Sequence, residues 1–285
     1  MDAWPASLPR GLLLLPLLFV AAAVVEGLVL QRRPGGYDWA SFGVSLVDLV
    51  VRRVIDVAML TVAAPALALA WQHRITSVPM DGPLDWLGLF LGCELAYYAF
   101  HRASHRVRWF WATHAVHHSS NQLTLASALR LGWTSRVSGA AVFFAPLVWL
   151  GYPPQAVATV LLLNLAYQFG LHNTWMPRLG PLEWVFNTPS HHRVHHGSNA
   201  EYLDCNYGGV LIVFDRLFGS FVAERADLPP RFGLVTPLHS HNPLQVAFHE
   251  WMNLARDLRR ATTWTARAAV LFGPPPPHSQ PGRNR

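Results

Sequence analysis

The sequence predicts an all-α, polytopic membrane protein with about four to five transmembrane helices and a cytoplasmic, histidine-rich helical cap. Three observations lead there. The chain is 52% hydrophobic and 13% charged, with a mean hydropathy of +0.22, a profile of membrane proteins rather than water-soluble domains. Five stretches approach the roughly 20 apolar residues that a helix needs to cross a bilayer. Three histidine clusters at helical spacings lie past the ends of those stretches.

Taken in order, the first stretch is Gly11 to Leu30, interrupted by Glu26. It lacks a small-residue cleavage site, so it reads as an uncleaved first span. The second runs from Val44 to Trp71; Asp48, Arg52, Arg53 and Asp56 make its front half a polar approach at the interface. The third is Leu84 to Phe100, with Glu94 inside it. The fourth, Val137 to Tyr152, and the fifth, Gln155 to Leu171, are joined by the turn G-Y-P-P and form either two spans or one re-entrant hairpin.

Arginines between the first and second stretches, and between the third and fourth, place both connections on the cytoplasmic side. Every dense histidine cluster then faces the cytoplasm, as expected for a protein of a bacterial inner membrane. From Pro243 to Leu271 an amphipathic pattern suits a helix lying in the membrane interface. The tail from residue 273 to 285 is Pro-rich and expected to be disordered.

Charge excludes some functions. The formal net charge is +6, and every basic residue is arginine. These arginines flank apolar runs instead of forming a stripe, so nucleic acid is not an expected partner. Cys93 and Cys205 are too far apart in kind and place to make a disulfide framework or a CxxC metal site.

The histidines carry the chemistry. His101 and His105 are spaced i, i+4, and His114, His117 and His118 combine i, i+3 and i+4. His192, His195 and His196 repeat that second pattern, so each cluster presents its rings on one helical face. With His172 after the fifth stretch, these are nine imidazoles without a thiolate in reach. That is too many for one ion and fits two ions that each keep an open position. His191 directly precedes the third cluster, either as a further ligand or as support for one.

His73, His249 and His278 stand alone and receive no role, and His239 and His241 read as loop polarity. A pH sensor would not need three clusters at repeated spacing. A zinc hydrolase would want a carboxylate base beside its ligands, as in HExxH, and none stands there. A metal transporter would place ligands near mid-membrane. Ligating histidines pass their second N–H to a carboxylate or carbonyl; Glu94, Asp204, Asn206 and Asp215 are the candidates. Glu94 falls two helical turns before His101, and Tyr97, Trp109, Trp111 and Tyr207 are candidate channel walls.

The order HxxxH, HxxHH, HxxHH resembles the fatty acid hydroxylase/sterol desaturase superfamily of membrane di-iron enzymes. The segments W-A-T-H-A-V-H-H-S-S-N, N-T-P-S-H-H-R-V-H-H-G and D-C-N-Y-G-G-V-L-I-V-F-D-R-L-F-G-S-F extend the likeness beyond the histidines. The resemblance implies N-terminal transmembrane helices over residues 1–75 and a catalytic domain over 76–272. It implies two irons on His101, His105, His114, His117, His118, His192, His195 and His196, with His172 as a further ligand. It implies O2 as co-substrate and hydroxylation or desaturation of a lipid, such as a fatty acyl, ether-lipid or sterol substrate. No haem domain or ferredoxin-like cysteine set is fused to the chain, so electrons are expected from a separate donor. The branch acting on alkylglycerols uses tetrahydrobiopterin, but nothing in the sequence identifies a pterin site.

Overall fold

Prolines set where many of the helices begin. In this computed structural model, which describes residues 14–58 and 60–276, proline stands in the first turn of six of the helices named below. There its missing N–H costs nothing and its fixed φ suits the helix. The helices are α1 (Leu15–Leu30), α2 (Trp39–Ala58), α3 (Leu60–Gln72), α4 (Pro83–Arg106), α5 (Arg108–His118) and α6 (Ala145–Trp149). They continue as α7 (Pro154–Phe169), α8 (Pro189–His195), α9 (Val213–Leu217), α10 (Pro243–Arg260) and α11 (Trp264–Phe272). Among the described residues the only β pairing is two isolated bridges.

The all-helical expectation is met, but the expectation of four to five transmembrane helices is not. Among the described residues no helix is long and apolar enough to cross a membrane. The reasons are local. The fourth stretch breaks into a short 3₁₀ turn and the five-residue α6. In α7 there are 16 residues, about 24 Å of helix at 1.5 Å per residue, short of a roughly 30 Å hydrocarbon core. Charged residues punctuate α2, and glycine, tyrosine and Glu94 dilute α4.

Two further expectations are corrected with it. Asp48 is not at an interface: it is buried and accepts the Leu131 N–H at 2.9 Å. The amphipathic pattern beyond Pro243 is two helices; part of the apolar side of α10 is covered by protein, while Leu244 stays exposed. Val246 packs with Val44 of α2 and Val116 of α5, and Leu254 is also buried. The first thirteen residues and the Pro-rich tail from residue 277 lie outside the described residues.

Several contacts orient the histidine-bearing helices. In α4, Asp85 accepts the Gly82 N–H at 3.1 Å, an N-terminal cap for a 24-residue helix. That helix stops at Val107, whose extended backbone (φ −120°) separates it from α5. The bend turns the histidine faces of α4 and α5 toward each other. Leu89 and Cys93 of α4 pack with Leu147 and Val148 of α6 and Val157 and Val160 of α7. Ala23 of α1, Phe42 and Leu49 of α2, and Phe169 of α7 enclose the segment around Leu125 to Leu129. Glu26, buried in α1, ties that segment down by accepting the Leu125 N–H at 2.6 Å.

The N-Y-G-G stretch explains its own glycines. A Cβ on Gly209 would strike the Asn164 side-chain amide, and one on Gly208 the Leu211 carbonyl. Gly209→Ala is therefore expected to lower stability by about 1–3 kcal/mol through overpacking. Thermal denaturation checks it; an unchanged Tm would contradict this close approach.

Candidate metal centre

Nine imidazoles meet at the junction of α4, α5, the end of α7 and α8, and they sort into two groups. His101, His105, His114, His118 and His195 form one; His117, His172, His192 and His196 form the other. Within each group the candidate ligand atoms lie within 4.8 Å of one another. Eight of the nine are buried, with His114 half-buried.

Helical spacing explains the sorting. Residues i and i+4 share a face, whereas neighbours point about 100° apart. His114 and His118 thus stay together in the first group, while His117 turns to the second. The third cluster does the reverse: His192 and His196 stay in the second group and His195 crosses to the first. Each HxxHH motif therefore supplies both groups. The two meet where the His118 and His196 rings stack at 4.3 Å between centroids.

The nitrogen geometry tests whether these groups fit metal ions. His101 and His114 bring their Nε2 atoms to 3.1 Å, and His118 and His114 to 3.2 Å. In the second group the His192–His172 and His196–His192 separations are 3.0 and 3.1 Å. Adjacent ligands at the usual metal–imidazole distance of about 2.1 Å stand roughly 3.0–3.4 Å apart.

His117 and His172 sharpen the test. The His117 Nδ1–H donates to the Arg130 carbonyl at 2.9 Å, and the His172 Nδ1–H donates to the Gln168 carbonyl at 2.8 Å. With both protons on Nδ1, two bare Nε2 lone pairs face each other at 3.1 Å. Those lone pairs repel unless a cation lies between them. In the first group, His101 donates through Nδ1 to the Tyr207 carbonyl at 2.8 Å, and His195 to the Cys205 carbonyl at 2.9 Å. The Nε2 atoms of His105 and His195 are buried with no hydrogen-bond partner. The residues present fit metal ions in both groups.

Burial keeps the rings neutral, as ligands must be. It holds His117 down at about 4 and His195 at about 3, and the other seven well below the usual imidazole range. An unfolded chain titrates its histidines near 6.5. Below that pH the unfolded state binds more protons than the metal-free folded state. Stability is therefore full above about 6.5 and falls as the pH drops. Melting chelator-treated protein at descending pH is expected to show a falling Tm across that window; a flat profile would contradict neutral burial.

The remaining candidates sit around this centre without joining it. Glu94 touches none of the nine rings. Its carboxylate accepts the Val210 and Leu211 N–H groups, each at 2.8 Å, and the Asn164 amide. Asn164 accepts from Gln168, whose backbone carbonyl holds His172. Asp215 accepts the Tyr207 and Gly208 N–H groups at 2.8 and 2.7 Å, fixing the loop whose carbonyl holds His101. Asn206 clamps the His191 carbonyl and the Val222 backbone. Asp204, with a left-handed φ of 56°, pairs with Arg106 at 2.9 Å.

His191 lies outside both groups, its ring on Phe221 and its Nε2 3.9 Å from Glu183. Among the suggested channel walls, Tyr207 packs on His101, His105 and His195. Trp111 packs on His105, whereas Trp109 packs away on Trp251. A cavity lined by His105, His118, His195, His196, Trp111 and Asp204 reaches rings of both groups. The sequence did not point to Gln168, Arg130, Cys205 or Tyr207 as proton acceptors, because each acts through its backbone carbonyl.

Comparison with known proteins falls on this same region. Residues 86–220, which contain all nine histidines, match the model of the family described as fatty acid hydroxylase. Human alkylglycerol monooxygenase is 35% identical over 259 residues, covering 90% of this chain and 57% of the relative. The alkylglycerol monooxygenase of Xenopus tropicalis is 37% identical over 227 residues, 79% of this chain and 50% of its own. Ornithine lipid hydroxylase OlsE of Rhizobium tropici is 31% identical over 164 residues, 58% of this chain and 49% of its own. The chain thus spans about half the length of these relatives. No solved structure matches it. The segment that carries both histidine groups, residues 86–220, is thus the one that matches the fatty acid hydroxylase family.

Proposed function

We propose that the chain is a di-iron lipid oxygenase, with one iron held by each histidine group. The observation that carries this reading is the pair of bare Nε2 atoms on His117 and His172, facing at 3.1 Å inside a buried all-imidazole group. Imidazole alone suits iron, zinc, copper and nickel. The relatives named as monooxygenase and lipid hydroxylase favour iron. Among the described residues neither group contains a carboxylate, which disfavours a zinc hydrolase needing a general base at the metal.

When bound, the irons supply O2 activation and the oxidation of an unactivated C–H bond. The balanced hydroxylation consumes the lipid, O2, two electrons and two protons, and yields the alcohol and water. The electrons come from a separate donor. The chain's own residues perform four tasks. The Nδ1–H bonds of His101, His117, His172 and His195 to backbone carbonyls fix each ring's tautomer and leave Nε2 as the atom that would hold an iron. Burial of the rings excludes water and holds them neutral. Trp111, with Leu203 and Leu234 beside it, offers the cavity's apolar wall to an alkyl chain. Asp204, at the same cavity, is the nearby polar group for a lipid's oxygenated end.

The test is incubation of iron-loaded protein with lipid extract and reductant under isotopically labelled O2. One labelled oxygen atom in a product lipid supports hydroxylation, and loss of two hydrogens supports desaturation. A zinc-loaded protein that hydrolyses lipid, with no oxidation after iron reconstitution, would overturn the proposal.

A further inference from the structure

Helix α4 presents an outer face that the metal centre does not use. Leu84, Leu87, Leu91 and Leu95 recur along it at helical spacing, and all four are exposed, from 44% to 78%. Toward the helix end this row runs into a groove floored by Leu95, Tyr98, Ala99 and the 47%-exposed Phe218, with Arg102 and Arg106 on its wall. The Phe218 and Tyr98 rings stack at 5.2 Å, so the floor is built and not a passing gap.

The charges there are asymmetric. Arg102 donates to the Tyr98 hydroxyl at 2.9 Å, and that hydroxyl also bonds Ser220 at 2.9 Å, which holds the guanidinium at the groove. Arg106 donates to Asp204 at 2.9 Å and stays 47% exposed on its side chain. Asp204 is not among the groove's lining residues, so two guanidiniums and no carboxylate line it. Exposed guanidinium forks favour phosphate oxygens, which they bind in paired hydrogen bonds. A row of exposed leucines ending at such a pair has the polarity of an amphiphile.

We propose that this groove binds an anionic phospholipid, its phosphate on Arg102 and Arg106 and its acyl chain along Leu95 and Leu91. None of the nine histidines lines this groove, and the site does not rest on the di-iron reading. Neither a free phosphate nor a neutral lipid satisfies both halves of the groove.

The test is equilibrium binding to the full chain of a short-chain phosphatidic acid, kept below its micelle concentration. The matching diacylglycerol and inorganic phosphate serve as comparison probes. The expected result is one phosphatidic acid per chain, with much weaker binding of either comparison probe. Affinity is expected to fall by about tenfold or more in the double variant R102Q/R106Q. Leu95→Asp, on an exposed position that leaves the arginines and Asp204 intact, is expected to weaken binding comparably. Unchanged affinity in Leu95→Asp, or non-saturating uptake, would overturn the site. Equal binding of inorganic phosphate would overturn the lipid assignment in favour of a free-anion site.

Discussion

Replacing His117 with alanine is expected to lower the metal content from about two ions per chain to about one, with lipid oxidation falling at least a hundredfold. His117 is the single member that the second cluster sends across to His172, His192 and His196. Its loss leaves three imidazoles where four converged, and it removes the partner whose Nε2 faces His172 at 3.1 Å. Even residues that only support ligands commonly cost about 10–100-fold in affinity or activity when removed, so a ligand should cost more. His195→Ala, the member that crosses the other way, should deplete the five-histidine group instead. Metal analysis together with turnover checks both; full metal content and full turnover in either variant would contradict the two-group arrangement.

Glu94→Ala is expected to destabilise the fold by about 3–5 kcal/mol, because two buried donors and one partly buried donor lose their acceptor at once. Those donors are the Val210 and Leu211 N–H groups and the Asn164 amide, and Glu94 itself is 1% exposed. For a chain of this size each kcal/mol moves Tm by roughly 2–4 °C, so a fall on the order of 10 °C should be seen. Glu94→Gln keeps the volume but turns an N–H₂ toward donors, and should recover only part of the loss. A Tm within about 1 °C of the parent in Glu94→Ala would show that the carboxylate does not anchor this loop.

The histidine groups were far more legible in the sequence than their setting. Spacings of three and four along a helix put side chains on shared faces, and imidazole has few roles that require it in clusters. The structure gathers the nine histidines that the pattern singled out; His191, whose role the pattern left open although it stands four residues before His195, lies apart. The division into five and four was not legible, because it depends on the angle between α4 and α5 at Val107 and on the return of α8. The proton acceptors were not legible either: a backbone carbonyl has no residue type, and the acids at hand hold loops instead.

Hydropathy misled where it was read as thickness. Apolar runs such as Val137 to Tyr152 looked continuous, but proline and glycine divide them into short helices that pack on one another. From the sequence Glu26 reads as an interruption of a membrane segment, Asp48 as part of an interfacial approach and Glu94 as a candidate acceptor for a ligand's N–H. Each is a buried acceptor for the backbone of a distant loop. Amphipathicity in α10 likewise reported a face partly covered by α2 and α5.

The most direct measurement is anomalous scattering at the iron absorption edge from crystals of iron-loaded protein. Two peaks are predicted, one among His101, His105, His114, His118 and His195, and one among His117, His172, His192 and His196. A single peak, or none in protein that carries out lipid oxidation, would contradict a two-iron centre built from these nine histidines.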